Sequence, residues 1–167
     1  QTLAVDLLPA EKTGLQTHPT RTIEAFRASG EAVRILLNSF AQDPPDQGLL
    51  QQAESGFKRA ITLDPHYADP QFQLGQVYEL RGDFQQAERA YRVALKADMH
   101  HVDARFFLGR LLKSLNRTSE ALDELEGALR QSPHDPEIQS FMASIWFSRY
   151  SQTFETISAQ FQTAIEA

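Results

Sequence analysis

Apolar residues in this chain recur three or four positions apart, in sets separated by polar turns, and the sets themselves recur every 34 residues. Block 68–101 superposes on block 102–135. Leu74-Gly75 falls on Leu108-Gly109, Tyr78 on Leu112, Ala87 on Ala121, Tyr91 on Leu125, and Ala94-Leu95 on Ala128-Leu129. Spacing of three and four marks one face of a helix, so each block predicts two amphipathic helices. Gly82-Asp83 separates the two helices of the first block. Asn116 takes the place of that glycine in the second, and Asn is the next-best residue at a left-handed helix end. Gly75 and Gly109 fall mid-helix, where glycine costs ~1 kcal/mol relative to alanine. A closely approaching partner helix explains that loss, with Ala87 and Ala121 as the matching small residues. Tyr91 and Leu125 are expected to fill the gap towards the next repeat.

The pattern extends outward in altered form. Ala53, Phe57, Ala60 and Pro65 occupy second-helix positions of a preceding repeat. Pro44-Pro45 would fall inside its first helix and break it. The expectation is a helix over 20–40, a loop over 41–48 and a helix over 49–63. Downstream, Asp135 is an N-cap and Pro136 a first helical residue, opening a helix to Arg149. Asp69-Pro70 reads as the same start signal. A two-residue insertion in the next turn then allows a last helix over 153–166, with Phe161 and Ala164 at the aromatic and small positions. The organisation expected is a linker with short helices over 1–19, a divergent first repeat over 20–67, regular repeats over 68–101 and 102–135, and a divergent C-terminal repeat or capping helix over 136–167.

These residues resemble the tetratricopeptide repeat (TPR) family, whose 34-residue unit carries Leu-Gly, Tyr, Ala, an aromatic, Ala and Pro at fixed offsets. Leu74, Gly75, Tyr78, Ala87, Tyr91 and Ala94 match in the first block, which has Gln71 and Met99 in place of the first aromatic and the final proline. Leu108, Gly109, Ala121, Ala128 and Pro133 match in the second. The resemblance implies an all-α fold, an α-solenoid of antiparallel helix pairs. A subtler resemblance lies nearer the amino terminus. Leu8, Pro9, Glu11, Thr20, Glu24, Ala25, Phe26 and Gly30 look like the segment that introduces TPR arrays in bacterial multidomain regulators. Such arrays are fused to cyclase, kinase, winged-helix or TolB-like modules, so this chain reads as a piece of a larger regulator.

In TPR proteins the first helix of each repeat lines a ligand groove. The resemblance places Asp69, Phe72, Gln76, Glu79 and Leu80 there, followed by Asp103, Phe106, Arg110, Lys113 and Ser114. The next helix offers Glu137, Ser140, Ser144, Phe147 and Ser148. Two roles are open to Phe72 and Phe106: apolar anchors for a ligand, or packing between repeats. Arg110 and Lys113 could meet a carboxylate. The Lys/Asn carboxylate clamp of chaperone-docking TPR domains is absent, because its positions hold Phe72, Gln73, Gln76, Phe106, Phe107 and Arg110.

Charge and composition narrow the partners. Net charge is −6, with 16 basic against 22 acidic residues, which argues against a nucleic-acid binder. No apolar run approaches the ~18 residues that a membrane span needs. There is no cysteine, so disulfides and thiolate chemistry are excluded; a cytoplasm and a periplasm fit equally well. The eight glycines form no phosphate loop or dinucleotide fingerprint. His100-His101 lie at a turn equivalent to those of His66 and His134, and adjacent residues there do not share a face. They read as solvated turn residues, and no metal or cofactor is expected. The chain is therefore read as a protein- or peptide-binding scaffold without enzymatic activity. Self-association into a homodimer is the alternative, because Phe154, Ile157, Phe161 and Ile165 are spaced 3-4-4 along the last helix.

Overall fold

A computed structural model describes residue 20, residues 22–41 and the backbone of 44–166, with side chains described as far as Glu155. The linker expected over 1–19 lies outside the described residues. Seven helices follow in order, with no strand among the described residues: α1 (Ile23–Ser39), α2 (Gln47–Leu63), α3 (Ala68–Leu80), α4 (Phe84–Ala97), α5 (Val102–Ser114), α6 (Thr118–Gln131) and α7 (Pro136–Glu166). The all-α fold that the family resemblance implies is the one observed among the described residues. Two compact units divide near the start of α5, one running to Ala104 and the other from Arg105.

In the first unit, α1 pairs with α2 and α3 with α4, and α2 also packs on α3. The core between them is built from Leu36, Leu50, Ala53, Phe57, Leu74 and Val77. Pro44-Pro45 lie in the α1–α2 connection, as the sequence requires. Asp46 caps α2 by accepting a hydrogen bond from the Leu49 N–H at 2.9 Å. The α3 start differs from expectation. The helix begins at Ala68 with Tyr67 at the cap, so Asp69-Pro70 stand inside its first turn. Proline is tolerated there because first-turn N–H groups have no partner within the helix.

The two regular repeats use the same turn. Gly82 has φ 78° and Asn116 φ 61°, both left-handed. The Asp83 N–H donates to the Tyr78 carbonyl at 2.8 Å, and the Arg117 N–H to the Leu112 carbonyl at 2.9 Å. These bonds satisfy carbonyls that a helix end would otherwise leave bare.

The mid-helix glycines have the expected cause but a different partner. A Cβ on Gly75 would stand within 3.0 Å of three ring carbons of Tyr91. One on Gly109 would stand 2.9 Å from Leu125 Cγ and 3.2 Å from the Ala121 carbonyl. Tyr91 and Leu125 therefore seat on the glycine of their own repeat, a correction to their expected role towards the next one. The Tyr91 hydroxyl, donating to Glu79 at 2.7 Å, locks the arrangement.

The largest departure is at the C-terminal end of the chain. Two helices were expected, over 136–149 and 153–166, and one helix of 31 residues runs through both. The reason is local: Ser148 to Thr153 contain neither Gly nor Pro, so nothing breaks the hydrogen-bond ladder. Asp135 caps this helix as expected, accepting from the N–H groups of Glu137 at 2.9 Å and Ile138 at 3.2 Å.

Candidate functional site

The sequence-predicted groove residues divide between the two units. Asp69, Phe72, Gln76, Glu79 and Asp103 belong to the first, and Phe106 onward to the second.

In the first unit these residues are largely engaged. Phe72 is buried, its ring 5.9 Å from Tyr91 and 5.1 Å from His101. Its role is packing. His101 is not a solvated turn residue, which corrects the sequence reading. Its Nδ1 accepts from the Ala104 N–H at 3.3 Å, capping α5, and its Nε2 lies 3.2 Å from an Asp69 carboxylate oxygen. The angle of that second approach does not make a hydrogen bond. Beside it, burial pushes the Tyr67 hydroxyl far above its ordinary pKa; the neighbouring Asp69 carboxylate adds to the shift, and a Ser29 hydrogen bond opposes it. Glu79 receives the Tyr91 hydroxyl. Asp103 is exposed, whereas Gln76 is half-buried. No group of three or more His, Asp or Glu side chains could hold a metal ion among the described residues.

The second unit has an open cleft of about 340 Å³ between α5 and the start of α7. It is lined by Phe106, Arg110, Glu137, Ser140, Phe141 and Ser144. All of these except Phe141 are predicted groove residues, and α5 and α7 bring them together. Phe106 is buried as the cleft floor, edge-on to Phe107 and Phe141, each 5.9 Å away. The Arg110 guanidinium lies over the Phe107 ring at 4.7 Å and the Phe106 ring at 5.8 Å. Such stacking holds the cation in place without neutralising it. No carboxylate pairs with Arg110 among the described residues. Ser144 donates to the Phe141 carbonyl at 2.6 Å. Lys113, half-buried, is three residues from Arg110 on the same helix. Phe141 was missed by the sequence reading. It lies outside the groove positions of the repeat, and only packing against Phe106 brings it to the cleft.

Further along α7, Phe147, Tyr150 and Phe154 are 76%, 80% and 70% exposed, and Trp146 44%. They line one face with Ala143 and Ser151. Of these, Phe147 was among the predicted groove residues.

This paired-helix arrangement matches known repeat proteins. No curated protein sequence matches the chain. Its fold is similar to the first TPR of Spaghetti (RPAP3) bound to the HSP90 peptide SRMEEVD, with 16% identity and a TM-score of 0.66 over 76% of this chain and 94% of that one. TTC0263, a TPR protein of Thermus thermophilus, is 28% identical with a TM-score of 0.66, over 82% of this chain and 70% of that one. MamA is 18% identical with a TM-score of 0.63, over 84% and 75%. None of the described helices is long and apolar enough to cross a membrane. Two tetratricopeptide-repeat family models match residues 46–101 and 80–145, together more than half of the chain. With its 34-residue period, its αL turns and its glycine-seated second helices, the chain belongs to the tetratricopeptide repeat family.

Proposed function

We propose that this chain is a scaffold that captures a protein segment, and that the segment lies in the α5–α7 cleft with an acidic group on Arg110. The observation that carries this reading is the Arg110 guanidinium, held over two phenylalanine rings and lacking a carboxylate partner among the described residues. A ligand carboxylate would find a fixed, planar donor there, and such charge-assisted hydrogen bonds are the strong ones. Lys113 adds a second cation on that face of α5. The exposed Ser140 offers a hydroxyl to the segment's backbone. A related fold is described bound to a peptide, which supports a peptide ligand in general.

The test is binding of a labelled acidic peptide, with its acidic residues replaced by alanine as control. Arg110→Gln should weaken binding about 10-fold or more, the value of one charge-assisted hydrogen bond, and leave the melting temperature in place. Equal binding by both proteins would remove Arg110 from the site. Phe106 is unsuitable for this experiment. It is buried, and Phe106→Ala would cost about 3–5 kcal/mol of folding stability.

The wider setting is proposed as a regulatory interaction module of a larger bacterial protein, resting on the segment Leu8 to Gly30. A complete reading frame without a cyclase, kinase, winged-helix or TolB-like module would argue against it. No catalytic activity is proposed, and turnover by the isolated chain would contradict that. A second reading is self-association through α7, favoured by the exposed Phe147, Tyr150 and Phe154. Sedimentation at rising protein concentration tests it, and a monomer throughout would eliminate it.

A further inference from the structure

Each regular repeat pairs its glycine position with a large residue on its second helix: Gly75 with Tyr91, and Gly109 with Leu125. One repeat further on, the glycine position is Ala143. With the two-residue insertion, the large-residue position is Phe161. In this chain both lie on one unbroken helix. Eighteen residues at 1.5 Å each separate them by about 27 Å, so they cannot meet within a straight α7.

The same helix carries a strict alternation of four and three: Ala143, Phe147, Tyr150, Phe154, Ile157, Phe161, Ala164. That is the spacing of a helix–helix seam. An antiparallel pairing that sets Ala143 opposite Phe161 of another copy also sets Phe147 opposite Ile157 and Tyr150 opposite Phe154. Every residue from Ala143 to Phe161 in the stripe thus meets another of the stripe, about a two-fold axis at Gln152. The seam spacing permits this register, and the repeat rule selects it over the alternative that sets Phe147 opposite Ala164.

From this we infer that α7 is an opened repeat, and that two copies exchange its second half. Residues 153–166 of each copy replace the second helix that the other's 136–150 lacks. This deepens the self-association reading and rests on it. Exchange of an identical element is a low-cost route to a closed, two-fold dimer. The area suffices: aromatic side chains of 150–250 Å² each, at the exposures of Trp146, Phe147, Tyr150 and Phe154, give roughly 500 Å² per copy. Two copies bury about 1,000 Å², the lower bound for a specific interface. The stripe's flanking positions Ser151, Thr153, Ser158 and Gln160 carry no charge, so two identical helices do not repel there.

Because the chain has no cysteine, disulfide trapping reads the register without background. A mixture of Ala143→Cys and Phe161→Cys copies, oxidised, should yield a species of double mass that neither variant forms alone. Tyr150→Cys mixed with Phe154→Cys, at exposed sites whose change leaves the fold intact, should do the same. The double variant Ala143→Cys/Phe161→Cys should link between copies. A link within one copy, at monomer mass, would show a closed hairpin and overturn the exchange. Ala143→Cys linking efficiently to itself, across the about 27 Å that separates the two copies of that residue in this register, would show a parallel pair and overturn it too. A dimer by sedimentation without the mixed links would leave self-association standing and sink this register. A monomer at all concentrations, or occupation of the face by a different protein only, would remove both.

Discussion

Gly75 and Gly30 show how differently one residue type can act within a helix. Gly75 lies under Tyr91, whose ring is fully buried and whose hydroxyl is tied to Glu79. Gly75→Ala gains ~1 kcal/mol of helix propensity. It forces a methyl into a ring that cannot withdraw, an overpacking cost of about 1–3 kcal/mol. The net result should be a lower melting temperature. Gly30, inside α1, has nothing within 4 Å of a would-be Cβ, so Gly30→Ala should raise it by up to ~1 kcal/mol of stability. If both variants melted alike, close packing would not be what keeps Gly75. The period of 34 marks Gly75 as special, and it does not mark Gly30. What touches Gly75 is not legible in the sequence, because Tyr91 is equally well placed by spacing to face its own repeat or the next.

At the scale of elements, α2 and α3 are joined by one carboxylate. Glu54 pairs with Lys58 at 2.7 Å and with Arg81, and accepts from the Tyr78 hydroxyl at 3.3 Å. Partial burial alone would raise its pKa. The Lys58 hydrogen bond, the charges of Lys58 and Arg81 and the Tyr78 hydroxyl outweigh burial and hold it below its ordinary value of 4.5. A carboxylate whose folded pKa is depressed contributes stability above the unfolded pKa and loses it as pH falls through the folded one. Glu54→Gln should therefore lower stability at pH 7 by about 1 kcal/mol, since Lys58 is solvent-exposed and screened. The gap between variant and parent should close below pH 4.5, measured by urea unfolding across pH. A gap that persisted in acid would assign the effect to packing. Asn116 acts at the α5–α6 turn. With φ 61°, Asn116→Ala should destabilise by about 1 kcal/mol, and Asn116→Gly should be neutral or stabilising, in thermal melts. Most of this punctuation was readable beforehand, because turn residues act through their own backbone. The unbroken α7 was not. The repeat template asked for a turn near residue 151, where no residue between Ser148 and Thr153 can terminate a helix.

For the molecule as a whole, exchange of α7 between copies would link folding to concentration. Association stabilises the folded state by mass action, so the melting midpoint should rise with protein concentration. Tyr150→Lys, at a position 80% exposed, should abolish that dependence while leaving the midpoint at low concentration unchanged. A concentration-independent midpoint in the parent would speak against association. The acidic-peptide reading makes a separate demand: its affinity should fall as salt screens Arg110 and Lys113.

From sequence alone come the helix count through α6, the paired-helix repeat, the αL turns at Gly82 and Asn116 and the cap at Asp135. Each depends on a residue's own backbone preference or on the period of its apolar neighbours, and both are local. Tertiary structure decided the rest. Phe72 and Phe106 went to packing because their neighbours, Tyr91 and His101 in one case and Phe141 in the other, close over them. Arg110 lies over the Phe106 and Phe107 rings with an open cleft beside it. Which side chain is covered depends on which residues, distant in sequence, arrive beside it, and the 34-residue period is the same for either outcome.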